Sequence, residues 1–144
     1  MDIGETVLIN TVYRESKMGL NAIHNVIGKV YDENLALDLN KQAARYSKLE
    51  EKASDILIEN GDIPRPVSLL EKTKTWAAMQ ASTVMNTSTA HIAEMIIKEN
   101  ATEIIDVLKT VKRNKNISSE SMEMANELMD FSEKNINILK TYIK

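Results

Sequence analysis

Apolar residues recur along this chain in steps of three and four, the spacing that lays one stripe along an α-helix. The first stripe runs Ile9, Val12, Ser16, Leu20, Ile23, Ile27 and Val30 and predicts a helix over roughly residues 3 to 30. The second runs Leu35, Leu39, Gln42, Tyr46, Leu49, Ala53 and Ile56 and predicts a helix over roughly 33 to 60, with Asp32 as its N-cap. Tyr31-Asp32-Glu33 leaves room only for a tight reversal, so these two helices are expected to form an antiparallel hairpin.

The run Asn60 to Pro66 holds Gly61 and both prolines of the chain, and ends the second helix. Ser68 is then placed to cap a further segment through Leu69, Leu70, Trp76 and Met79, with Glu71 completing a capping box. Ser82 to Thr89 is rich in β-branched and backbone-competing residues, and a break is expected there. A third long stripe follows, Ala90, Ala93, Ile97, Asn100, Ile104, Leu108 and Val111, ending near Arg113. Ser118 or Ser119 opens the last helix, whose stripe is Met122, Ala125, Met129, Ser132, Ile136, Leu139 and Ile143.

The expected fold is therefore all-α: a single domain, residues 1–144, built as a four-helix bundle with a helical segment between its second and third long helices. An unbroken helix from 67 to 113 would reach about 70 Å against about 40 Å for the others. A break near 82–89 removes the mismatch, turns the first part into a crossover and makes the second and third long helices parallel. That is the connectivity of ferritin-like folds. The run Thr89-Ala90-His91-Ile92-Ala93-Glu94-Met95-Ile96-Ile97, preceded by a helical hairpin containing Gly19, resembles the uncharacterised ferritin-like bundle proteins common in Firmicutes. The resemblance implies a fold and carries no known activity.

A ferritin-like bundle raises the question of metal. Such proteins with two iron or manganese ions use a Glu-x-x-His pair on each of two helices, and no Glu-x-x-His occurs here. His91 and Glu94 have the right separation in the reverse order. The alternative reading is thus a metalloprotein, with iron or manganese held by a non-standard set drawn from Glu15, Glu50, His91 and Glu94. The third long stripe turns His91 away from the core and leaves Glu94 on its flank, and no buried cage of carboxylates is visible. The polar residues on the stripes, Ser16, Gln42, Asn100 and Ser132, are neutral groups suited to bonding between helices and fixing register. Several of the eight methionines read as core filling.

Composition narrows the rest. A net charge of -3 gives no broad basic field, so no nucleic-acid partner is expected. With no cysteine there are no disulfides and no thiolate sites. No Gly-rich phosphate loop or nucleophile elbow is present. The first residues lack the pattern of a signal peptide and no apolar run reaches membrane-spanning length, so the expectation is a cytoplasmic protein with no membrane contact. The leading reading is a non-catalytic bundle acting by self-association, as a dimer, or by binding another protein. Its motive is a second apolar face on the third long helix, made by Ile92, Ile96 and Val107 beside Met85 and Met95.

Overall fold

In the computed structural model, which describes residues 1–143, the chain forms five α-helices with no strand among those residues. These are α1 (Ile3–Val26), α2 (Glu33–Glu59), α3 (Leu69–Met85), α4 (Thr89–Arg113) and α5 (Ser119–Leu139). Short 3-10 turns follow α1 over Ile27–Lys29 and α5 over Lys140–Tyr142. The expected third and fourth long helices are α4 and α5. No helix among the described residues is long and apolar enough to cross a membrane.

Every α-helix begins at a side chain that accepts an otherwise unpaired backbone N–H: Asp2, Asp32, Ser68, Ser88 and Ser118 accept from the third residue beyond each. Asp32 and Ser68 act as the sequence predicts, and the choice between Ser118 and Ser119 falls to Ser118. Glu71, expected to close a capping box, reaches across to Arg14 at 2.8 Å. At the far end of α2 the backbone turns at Gly61, with φ of 78°, and Asp62 N–H bonds back to Leu57 O at 2.9 Å. The loop that follows is pinned where Arg65 N–H donates to the buried Asn10 side chain.

Paired contacts set the directions. Gly4 abuts Asn114 and Thr11 meets Thr110, so α1 and α4 are antiparallel. Ser132 bonds Glu103 while Asn135 bonds Asn100, so α4 and α5 are antiparallel. On the outside, Arg14 meets Glu71, Asn25 meets Met79 and Lys29 meets Thr83, so α3 runs along α1 in the same sense. The break before α4 is shorter than the sequence suggests. Helix persists to Met85, and only Asn86–Ser88 is irregular. Thr83 is a poor helix former in isolation, but its hydroxyl bonds Met79 O and receives the Lys29 ammonium, and these contacts override propensity.

The core line of α2 matches its predicted stripe, except that Leu57 replaces Ile56 at the end. That of α4 does not. Its buried residues are Ile92, Ala93, Ile96, Asn100, Glu103 and Val107, whereas the expected members Ile104 and Leu108 lie on the flank. Ile92, Ile96 and Val107 are 0%, 1% and 0% exposed, so the second apolar face expected on this helix is core. The line was displaced because it avoids Glu103, a charged type rarely found inside. On α5 a similar rotation buries Met124, Leu128 and Asn135 and leaves Met122 and Met129 half-buried.

At Gly19 the α1 backbone lies directly against the Tyr46 ring of α2. A Cβ there would collide with the Tyr46 ring, which is fully buried. Gly19→Ala is expected to destabilise the fold by about 2 kcal/mol or more through overpacking, read as a lowered denaturant midpoint with unchanged slope; a variant as stable as the parent would show that the helices separate freely.

Candidate functional site

The centre of the bundle is polar. Tyr46 on α2 reaches across the core, its ring edge-on to Phe131 of α5 with centroids 4.9 Å apart. Its hydroxyl lies 2.7 Å from Asn100 Oδ1 and 2.6 Å from Glu103 Oε1, both on α4. Ser132 donates to the same Glu103 oxygen at 2.9 Å, and Asn135 Nδ2 donates to Asn100 Oδ1 at 3.2 Å. Asn100 Nδ2 donates to Ile96 O at 2.8 Å, which fixes the orientation of its amide. Tyr46, Asn100, Glu103, Ser132 and Asn135 are all buried.

Counting protons identifies the charge state. One hydroxyl carries one proton, yet Tyr46 has two oxygen neighbours within hydrogen-bond distance. Asn100 Oδ1 has no proton to give, so the Tyr46 proton goes to it, and the contact with Glu103 then requires a proton on the carboxyl. Burial acts in the same direction, pushing Glu103 well above the usual carboxylate range, with the charge of Glu99 adding to the effect. Burial and Glu103 likewise push the Tyr46 phenol well above its ordinary value. Glu103 Oε2 has no hydrogen-bond donor.

A second acidic pair lies along the same α1–α4 seam. Glu15 is half-buried and is pushed up to about 9, first by burial, then by a hydrogen bond with Asp106 and the charges of Asp106 and Glu99. Glu99 is raised too, again chiefly by burial. At neutral pH Glu15 therefore holds a proton. Glu5, near the end of α1, is the opposite case. Hydrogen bonding from the Ser118 side chain, and from its N–H at 2.7 Å, holds it below the usual range.

The four residues expected to hold metal are not brought to one point. His91 Nε2 is 2.8 Å from Ser82 Oγ in a groove between α3 and α4, and Glu94 in the same groove pairs with Lys98. Glu50 pairs with Lys17, and Glu15 faces Asp106. Among the described residues no group of three or more His, Asp or Glu is arranged to hold a metal ion. This donor set does not fit the iron or manganese cage of a ferritin-like metalloprotein. None of the residues that do converge, Tyr46, Asn100, Glu103, Ser132 and Asn135, is marked as a site by the sequence, which reads Asn100 and Ser132 only as groups bonding between helices. The available signal was the spacing Asn100-x-x-Glu103, two polar side chains on one helix face, opposite a stripe Tyr on α2 and a stripe Ser on α5.

Two outcomes follow. Glu103→Gln should be tolerated or mildly stabilising at neutral pH, because the amide replaces a carboxyl that is already neutral. Tyr46→Phe should cost about 1–3 kcal/mol by stranding Asn100 and Glu103; denaturant unfolding of both variants checks the pair, and a strongly destabilised Glu103→Gln would mean the carboxyl is ionised. The raised Glu15 fixes the sign of a pH effect. Its folded state holds a proton that the unfolded chain, with an ordinary value of 4.5, releases, so the stability it contributes is complete below that value and is lost as pH rises toward about 9. The melting temperature should therefore fall as pH is raised from about 5 to about 8, at up to about 1.4 kcal/mol per pH unit for such a group, and Glu15→Gln should flatten that slope. No protein-family model matches this chain, and no curated protein or solved structure matches it, so its function is read from this geometry alone.

Proposed function

We propose that this chain is a non-catalytic, ferritin-like helical bundle that acts through self-association, two copies pairing through the outer face of α3. The topological part of this reading is supported by the contacts above. α1 is antiparallel to α2, with Thr6 meeting Asp62, Lys17 meeting Glu50 and Gly19 against Tyr46, and to α4, so α2 and α4 run in the same sense, and α3 carries the chain back along α1 between them. Four long helices with one long helical connection is the ferritin-like arrangement.

The observation that carries the pairing is an exposed stretch without charge. From Thr75 to Met85 the sequence TWAAMQASTVM contains no Asp, Glu, Lys or Arg, although only Met79 and Thr83 of α3 are buried. Leu70, Trp76, Val84 and Met85 are 65%, 53%, 77% and 89% exposed. A surface helix normally turns charged residues outward, and an apolar outer face of this length marks an interaction surface.

The order of residues favours a second copy as the occupant. The outer stripe reads Leu70, Thr73, Ala77, Ala81 and Val84, large at both ends and small in the middle. About Ala77 it is symmetric: an antiparallel copy sets Leu70 against Val84, Thr73 against Ala81 and Ala77 against Ala77. This is the self-complementary pattern a twofold interface requires. The small centre lets the helices approach closely, and antiparallel packing sets their dipoles in opposition.

Light scattering after size exclusion should give twice the chain mass. Ala77→Glu places two like charges on the twofold axis and should yield a monomer with unchanged helical content, because residue 77 is exposed in the single chain. A parent protein that stays monomeric at high concentration, or a variant that still dimerises, would overturn the reading.

A further inference from the structure

Four carboxyls gather along the α1/α4 seam with no cation to answer them. Glu99, Glu103 and Asp106 stand at i, i+4 and i+7 on one face of α4, and Glu15 meets them from α1. Among the described residues none of the four forms an ion pair. Arg14, the cation that acts on Glu15, is taken by Glu71 of α3, and Lys98 is taken by Glu94. Lys72 of α3 lines a separate groove with Met18 and Asn21. From α2 and α5 the seam receives only the uncharged Tyr46 and Ser132, both on Glu103.

Glu103 marks the inner end. It is 0% exposed, and Tyr46 and Ser132 occupy its Oε1. Its Oε2 meets no donor, and the carboxyl is turned toward Glu99. A buried polar atom left without a partner is costly, and such atoms ordinarily find one in protein, water or ligand. Glu99 is the accessible member of this pair. It is partly exposed and lines the groove of about 360 Å³ between α3 and α4, together with Met95 and Thr102. Asp106 lies one turn beyond Thr102, and both Asp106 and Glu15 are partly exposed. A donor in the groove therefore reaches Glu99, with Glu103 behind it, and can continue along α4 to Glu15 and Asp106.

The spacing selects the kind of cation. The carboxyls fall into two hydrogen-bonded pairs, Glu99 with Glu103 and Glu15 with Asp106. The pairs are about 8 Å apart along α4, at 1.5 Å per residue. One metal ion needs its ligands at one point, and among the described residues no three His, Asp or Glu are so placed. Two ammonium groups joined by a short alkyl chain match two separated pairs.

We propose that the α1/α4 seam binds a linear aliphatic diamine, entering beside α3, with one ammonium on Glu99, backed by Glu103, and the other between Glu15 and Asp106. No covalent bond is made or broken. The diamine replaces the proton that Glu15 otherwise holds, so binding releases a proton and tightens as pH rises. The site does not depend on pairing through α3.

Calorimetric titration of the full chain with 1,5-diaminopentane, in buffers of different ionisation enthalpy, tests this. At pH 8 the parent should bind and release a proton. Its affinity should fall by up to about tenfold per pH unit on going to pH 6. Pentylamine, with one charge, should bind about tenfold more weakly or worse. Glu15→Gln should bind about tenfold more weakly and release no proton. It should melt with the parent at pH 6, since the amide replaces a carboxyl already neutral there, so weaker binding is not a folding defect. No heat with the diamine at pH 8, equal affinity for pentylamine, or equal affinity in Glu15→Gln overturns the proposal, as does a chain that binds manganese and not the diamine.

Discussion

One hydroxyl decides how this bundle is assembled. The Tyr46 side chain reaches α4 because residue 19 of α1 is glycine and gives the ring its space. It stops at a distance where Asn100 and Glu103 both meet its oxygen. From there Ser132 and Asn135 carry the network into α5. Three helices, α2, α4 and α5, are thus held in register by directional bonds, where an apolar core of the same volume would permit neighbouring registers at small cost. The surrounding Leu and Ile residues supply the burial energy, and the network specifies which layer faces which.

The same network explains what the sequence discloses and what it hides. The second helix is legible nearly residue by residue, since its core line is apolar except for Gln42 and Tyr46, which keep its rhythm. The fourth helix is misread because its core line contains a glutamate, and a search for apolar neighbours slides one position to Ile104 and Leu108. Burying Glu103 is physically sound only with Tyr46 and Ser132 opposite, which are 57 and 29 positions away in sequence. Periodicity within one helix carries no information about such partners. The displaced line also created an apolar second face from Ile92, Ile96 and Val107 that folding removes into the core.

The α3 helix shows the converse. Its weak internal pattern made its end uncertain, and Thr83 stays helical in its last turn because its hydroxyl bonds the carbonyls of Met79 and Gln80 and receives Lys29. It is held to α1 and α4 mainly by polar clamps, Arg14 with Glu71, Lys29 with Thr83 and Ser82 with His91, and buries only two of its residues. A helix so lightly anchored on its inner side, and uncharged over most of its outer side, is stabilised less by its own bundle than a core helix is. The pairing proposed above would supply the packing that this arrangement lacks.

Carboxyl groups that converge in a helical bundle need neutralising, either by a cation between them or by protons held on them. At Glu103 the hydrogen-bond geometry already requires a proton, because the amide oxygen of Asn100 takes the only one Tyr46 can give. Glu15 reaches the same solution, raised by its burial and by the neighbouring Asp106. Protons are a conditional form of neutralisation, since each is released as pH rises, whereas an amide at either position would be neutral at every pH. The sensitivity of the seam to alkali is thus a direct consequence of having carboxyls, and not carboxamides, where α1 meets α4.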